Sequence, residues 1–108
     1  RPYLGIAMAD LNQPARNYLG LDKNIQGVIV GQVLPNGPAS KGGLKSNDVI
    51  VSINGTETPT ASELQSFMRS LKVGSTVTIK LWRDGTEKEV SVKLEEQPSS
   101  LFRQFREP

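Results

Sequence analysis

Bulky apolar residues recur at every second position near the start of the chain, where Leu4, Ile6 and Met8 alternate with Gly5, Ala7 and Ala9. That period predicts a strand over 3–9 with one bulky face and one very small face. Asn12-Gln13-Pro14 reads as a helix entry, since proline in the first turn lacks only an N–H that would be unpaired anyway. A short helix over 15–21 is expected to bury Tyr18, Leu19 and Leu21. Gly27 to Leu34 is rich in β-branched residues and predicts a buried strand, stopped by the turn cluster Pro35-Asn36-Gly37-Pro38.

Residues 39–43 fit one helical turn closed by glycine, and Asp48 to Asn54 predicts the next strand, ended by the turn pair Asn54-Gly55. The strongest helical signal runs from Thr60 to Leu71. There Thr60 and Glu63 have capping-box spacing, Leu64, Phe67, Met68 and Leu71 recur at i, i+3, i+4 and i+7, and Gly74 follows as a stop. Alternation over 76–82 and 89–94, with Asp84-Gly85 between them, predicts a hairpin. After residue 96 the composition shifts, and 97–108 reads as a linker or tail. The pattern predicts an α+β, mainly β fold: a small curled sheet of five to six strands capped by two helices.

Composition narrows what such a domain does. The 108 residues suffice for one domain and one modest core. The absence of cysteine removes disulfide scaffolds and thiolate chemistry, and leaves the redox compartment open. Without histidine there is no Ser-His-Asp or Cys-His apparatus and no imidazole metal ligand. No catalytic residue, metal or cofactor is therefore expected. The 13 basic residues are scattered among 11 acids, giving a net charge of +2 and no stripe of the kind nucleic-acid binders carry. No apolar run approaches the ~20 residues needed to span a bilayer. A start at Arg1 rather than Met suggests a piece of a longer protein.

Two constellations could carry function. In Tyr3-Leu4-Gly5-Ile6 the glycine permits unusual φ, so backbone N–H groups can turn outward as an anion-holding nest floored by apolar side chains. A peptide C-terminus, a carboxylate beside an apolar side chain, suits that chemistry. A glycine in an ordinary edge strand explains the same four residues. On the 60–71 helix, core packing accounts for Leu64 and Leu71, while Phe67 and Met68 are better placed to line a groove, with Ser70 a turn away. Residues 37–55 read as scaffold, with Asp48 capping local backbone donors.

The long pattern Pro38-Ala39, Gly43-Leu44, Asn47-Asp48-Val49-Ile50 and Ile53-Asn54-Gly55, with Tyr3-Leu4-Gly5-Ile6 ahead of it, resembles a PDZ domain of the bacterial kind. Its nearest likeness is the PDZ domain of high-temperature-requirement (HtrA/Deg) serine proteases, over about residues 1–96. Two positions depart from the family pattern: Gly42 stands where alanine is usual, and Asn47 where glycine is usual.

The resemblance implies a PDZ-like, partly open β-barrel and peptide capture by strand addition. In that scheme Tyr3, Leu4, Gly5 and Ile6 form the carboxylate-binding loop, and Met8, Phe67, Met68, Ser70 and Leu71 line the groove. A lining with no polar group save Ser70 would favour a terminal Val, Leu, Ile or Phe, with mild salt sensitivity. The implied partners are C-terminal or unfolded hydrophobic peptides and proteins, and the protease domain of the same chain. The implied setting is protein quality control in the periplasm or cell envelope, within a homo-oligomeric parent. Two alternatives stand. One is a docking domain between protomers, using an exposed Trp82 or Leu101, Phe102 and Phe105. The other is a different parent: an intramembrane metalloprotease, a C-terminal processing protease or a secretion component.

Overall fold

The computed structural model describes residues 1–98. Its main sheet is antiparallel throughout. Strands β2 (Ile6–Asp10), β3 (Val28–Val33), β4 (Val49–Ile53), β6 (Thr76–Arg83) and β7 (Thr86–Lys93) lie side by side in that order, and β5 (Thr56–Glu57) pairs with β4. The fold is mainly β, as the pattern predicts, but the sheet stays open, with β2 and β7 as its edges. A separate ribbon joins β1 (Pro2–Tyr3) to β8 (Glu95–Glu96). The strand expected over 3–9 is thus two strands, because Gly5 at φ +78° turns the chain between them.

Among the described residues three helices accompany the sheet rather than two: α1 (Gln13–Leu19), α2 (Pro38–Gly42) and α3 (Ala61–Arg69). The expected single turn at 39–43 is a complete short helix, with Pro38 in its first turn and Gly43 closing it in the left-handed conformation. In α3 the Thr60 hydroxyl accepts from the Glu63 amide at 3.1 Å, as the spacing predicts. The helix stops at Arg69, two residues short of expectation, where the Ser70 and Leu71 amides fall back on carbonyls three residues earlier. Helix α1 corrects a second expectation, since it buries none of its residues and Tyr18 is 83% exposed. Trp82, read as exposed, is half-buried opposite Val49.

The core lies between the sheet and α3. Val28, Val30, Ile50, Ile53, Val77, Ile79 and Leu81 fill it from the strands, and Leu64 and Met68 close it from the helix. Asp48, 1% exposed, crosslinks this layer at its rim. Its two oxygens accept from Arg83 at 2.8 and 2.7 Å, and one also accepts from the Lys45 amide at 2.8 Å. The hydrogen bond to Asp48 raises the Arg83 pKa still further above its usual value, so the guanidinium stays charged.

The two departures from the family pattern have physical reasons. A Cβ at Gly42 would stand 2.6 Å from Val92 Cγ2 and 2.9 Å from the Ser91 carbonyl oxygen, because α2 lies close on β7. Asn47 sits at φ +73°, a region asparagine tolerates better than most side-chain-bearing residues. Of the tail expected over 97–108, only Gln97 and Pro98 are described, and Leu101, Phe102 and Phe105 lie outside the described residues. The Gln97 amide still bonds the Arg1 carbonyl at 2.9 Å, so pairing continues just past residue 96.

Candidate functional site: an edge strand facing a helix

The amino-terminal bend is held from behind. The Ala39 amide donates to the Leu4 carbonyl at 2.8 Å, and the Leu34 amide donates to the Gly5 carbonyl at 2.9 Å. A trans peptide is planar, with its C=O and N–H pointing opposite ways. Tying the Leu4 carbonyl to α2 therefore turns the Gly5 N–H outward, and tying the Gly5 carbonyl to β3 does the same for the Ile6 N–H. Among the described residues, neither the Leu4 nor the Gly5 amide has a hydrogen-bond acceptor.

Register carries the same orientation down β2. The bond from Leu34 to Gly5 makes Ile6 and Val33 a non-hydrogen-bonded pair, so the polar backbone groups of Ile6 face the open edge. Val30 bonds Asp48 and Asn47 on its far side, and the Leu11 amide bonds the Gly27 carbonyl, which places Met8 and Asp10 in the same situation. Among the described residues, one side of β2 is thus an unpaired row of donors and acceptors at alternate residues.

Helix α3 runs alongside that row. It is tethered where β2 ends, the Ala61 amide donating to Asp10 Oδ1 at 2.7 Å. At the other end of the row a cavity of about 400 Å³ opens between the bend and the helix. Tyr3, Leu4, Gly5, Ile6, Met8 and Met68, all singled out from the sequence, line it together. Leu4 and Met68 are buried beneath it, and Ile6 and Met8 are half-buried on the strand side.

Phe67, Ser70 and Leu71 do not line the cavity. Helical phase explains this, since each residue advances about 100°. Gln65 and Arg69 fall about 60° and 100° to one side of Met68, toward the cavity, and both line it. Leu71 and Phe67 fall about 60° and 100° to the other side and pack half-buried against the core. Ser70 lies nearly opposite Met68, and its hydroxyl donates to the Phe67 carbonyl at 2.6 Å, closing the helix end.

Sequence reasoning missed Gln65, Arg69, Leu34, Arg1, Pro2 and Gln97, which complete the lining. Gln65 and Arg69 were legible as an i, i+4 pair flanking Met68, but the wide apolar face drew attention to its other flank. Arg1 and Gln97 are brought together only by the β1–β8 ribbon, a contact between opposite ends of the chain that no local pattern announces. The wall is consequently less uniformly apolar than expected, with two arginines and two glutamines on it. Among the described residues there is no group of three or more His, Cys, Asp or Glu side chains able to hold a metal ion.

An unpaired strand edge, outward amides and an apolar hollow together can accept an extended chain ending in a carboxylate. The sequence profile of the PDZ domain family matches residues 2–94. This chain belongs to the PDZ family. Its relatives include a probable periplasmic serine endoprotease DegP-like of Marinomonas sp., 37% identical over 92% of this chain, and the serine protease Do-like HtrA of Bacillus subtilis, 38% identical over 90%. The periplasmic serine endoprotease DegP of Escherichia coli is 41% identical over 93%. The chain spans only 21%, 23% and 20% of those three relatives.

Solved structures agree. An HtrA-type protease, AlgW, with a decapeptide superposes with a TM-score of 0.82 at 26% identity, covering 91% of this chain and 30% of that one. The HtrA3 PDZ domain bound to a phage-derived ligand, FGRWV, superposes with a TM-score of 0.75 at 25% identity, covering 88% and 86%. The chain is thus a PDZ domain of the kind found in HtrA/Deg serine proteases.

Proposed function

We propose that this PDZ domain captures extended, apolar C-termini by strand addition and presents them to the serine protease domain of its parent. A ligand strand pairs antiparallel to β2, placing its terminal carboxylate on the amides of Leu4, Gly5 and Ile6. Its last side chain enters the cavity over Leu4, Ile6, Met8 and Met68, with Tyr3 at the mouth. Phe67 and Leu71 act one layer back, holding α3 against the core, and Ser70 secures the helix end. The preferred terminal residues are Val, Leu, Ile and Phe.

The observation that carries this reading is the outward Gly5 amide, with no acceptor among the described residues, followed by the edge-facing Ile6 amide above an apolar hollow at the head of the β2 edge. Backbone pairing supplies attraction blind to sequence, and the hollow supplies choice. A short peptide buries little, so micromolar affinity is expected, about −8 kcal/mol. Titration of a peptide ending in Val against the same peptide amidated at its C-terminus tests the carboxylate role. Equal affinities would overturn it.

The relatives' names support the wider setting. Relatives named periplasmic serine endoproteases support a parent outside the cytoplasm, and in this reading the parent is a homo-oligomer in quality control of misfolded proteins whose protease domain does the cutting. The isolated domain should not cleave casein. Activity from the purified 108-residue chain would refute that division of labour.

A further inference from the structure

Charge is distributed unequally along the groove. At the bend, Arg1 and Arg69 line the cavity, while among the described residues no Asp or Glu does. The Arg69 guanidinium donates to Ser66 Oγ at 3.1 Å, a neutral acceptor on its own helix, and forms no ion pair among the described residues. At the far end, β2 finishes on the exposed Asp10. One oxygen of Asp10 takes the Ala61 amide, and the other accepts no hydrogen bond among the described residues. Half-charges of the α3 dipole oppose both groups but amount to about half a unit each, so each end keeps the sign of its side chain.

The separation of these charges can be counted in ligand residues. Ile6 to Asp10 is four steps of strand, about 14 Å, and Ala61 to Arg69 is eight steps of helix, about 12 Å. Four residues of an extended ligand cover the same span. The backbone groups of Ile6, Met8 and Asp10 face the open edge, so an antiparallel ligand sets its last, third-from-last and fifth-from-last residues against them. The fifth-from-last residue therefore lies across from Asp10, while the penultimate side chain, which strand alternation turns to the face opposite α3, stays at the arginine-bearing end of the groove without touching Arg69. With a Debye length of about 10 Å at 0.1 M salt, each end responds mainly to the ligand charge beside it.

We infer that the groove selects ligands by charge order: a basic residue five from the end, opposite Asp10, and an acidic residue next to last, in the field of the arginine-bearing end. This rests on the capture reading and adds to it a class of ligand that the apolar hollow alone does not specify. It also replaces mild salt sensitivity with a dependence that differs between peptides of identical composition.

The test uses two peptides ending in Val that differ only in exchanging Lys and Asp between the fifth-from-last and penultimate positions. Each is titrated calorimetrically against the 108-residue chain at about 0.01 M and about 1 M salt, where screening lengths are ~30 and ~3 Å. The Lys-then-Asp order is expected to bind about three- to tenfold tighter at low salt, with the ratio collapsing toward one at high salt. Arg69→Gln and Asp10→Asn should each reduce that ratio, and Asp10→Asn keeps an oxygen for the Ala61 amide, so α3 stays tethered. Equal affinities at low salt, or a ratio unchanged in both variants, would overturn the charge-order inference while leaving capture standing. Failure of both peptides to bind would refute capture and the inference together.

Discussion

Replacing Gly5 by alanine isolates the bend on which recognition depends. Gly5 lies at φ +78°, and a side-chain-bearing residue there costs roughly 1–2 kcal/mol. No steric charge is added to that sum. An alanine Cβ would sit 3.5 Å from Pro38 Cδ and Tyr3 Cε2 and 3.6 Å from Gly37 Cα, ordinary contact distances. The strain has two outlets. If the backbone holds, global stability falls by about 1–2 kcal/mol and affinity survives. If the peptide planes rotate, stability recovers but the outward amides lose their aim, and affinity falls by about 5- to 30-fold.

The hydrogen bonds from Ala39 and Leu34 resist that rotation, so most of the loss is expected in stability, with a smaller loss in binding. Gly74→Ala is the control, since Gly74 lies at φ +89° with nothing within 4 Å of the added carbon and does not line the cavity. It should lose similar stability and no affinity. Urea unfolding and calorimetric titration with a Val-ending peptide read the two quantities separately. Wild-type midpoint and wild-type affinity together in Gly5→Ala would refute the argument that this φ is required.

Other expected outcomes concern the frame around the site. Arg83→Met strands the buried Asp48 carboxylate with one backbone donor, and should cost toward the lower end of ~3–5 kcal/mol in urea unfolding, because Arg83 itself keeps 19% exposure. Asp48→Asn in that background should recover part of the loss. Gly42→Ala should destabilise by about 1–3 kcal/mol through contact with Val92 and Ser91, and adding Val92→Ala should give a total smaller than the sum of the single changes. At Asn47, φ +73° predicts that glycine is accepted within about 0.5 kcal/mol, whereas valine costs more than 1 kcal/mol by the same measurement.

Local signals were legible where one physical requirement dominates a segment. Thr60 caps α3 because a hydroxyl three residues before an amide satisfies an orphan donor. Asp84-Gly85 makes a tight hairpin because both residues accept positive φ, at +53° and +75°. What failed was phase and partnership. Tyr18 sits in a sequence that looks amphipathic, yet α1 buries none of its residues. Phe67 is as apolar as Met68, and only the seating of α3, tethered by a bond from Ala61 to Asp10 some 50 positions earlier in the chain, decides which flank meets the cavity. Period identifies a helix face to about a third of a turn, which is coarser than the difference between lining a groove and backing it.

The segment that reads as plain scaffold proves inseparable from the candidate site. Helix α2 has only five residues and contributes little on its own terms. Its first residue, Pro38, carries no N–H, so Ala39 supplies an early amide that the helix cannot pair internally. That amide holds the Leu4 carbonyl, and through a rigid peptide plane it directs the Gly5 N–H away from the scaffold. Gly37 lets the turn pass close behind the bend, its Cα 3.6 Å from where a Gly5 Cβ would stand, and Ala39 is fully buried with no room to drift. A Gly-Pro-Ala turn over thirty residues from the bend is thus the back half of the nest. Substitutions there should alter the aim of the amides without touching any residue that lines the cavity.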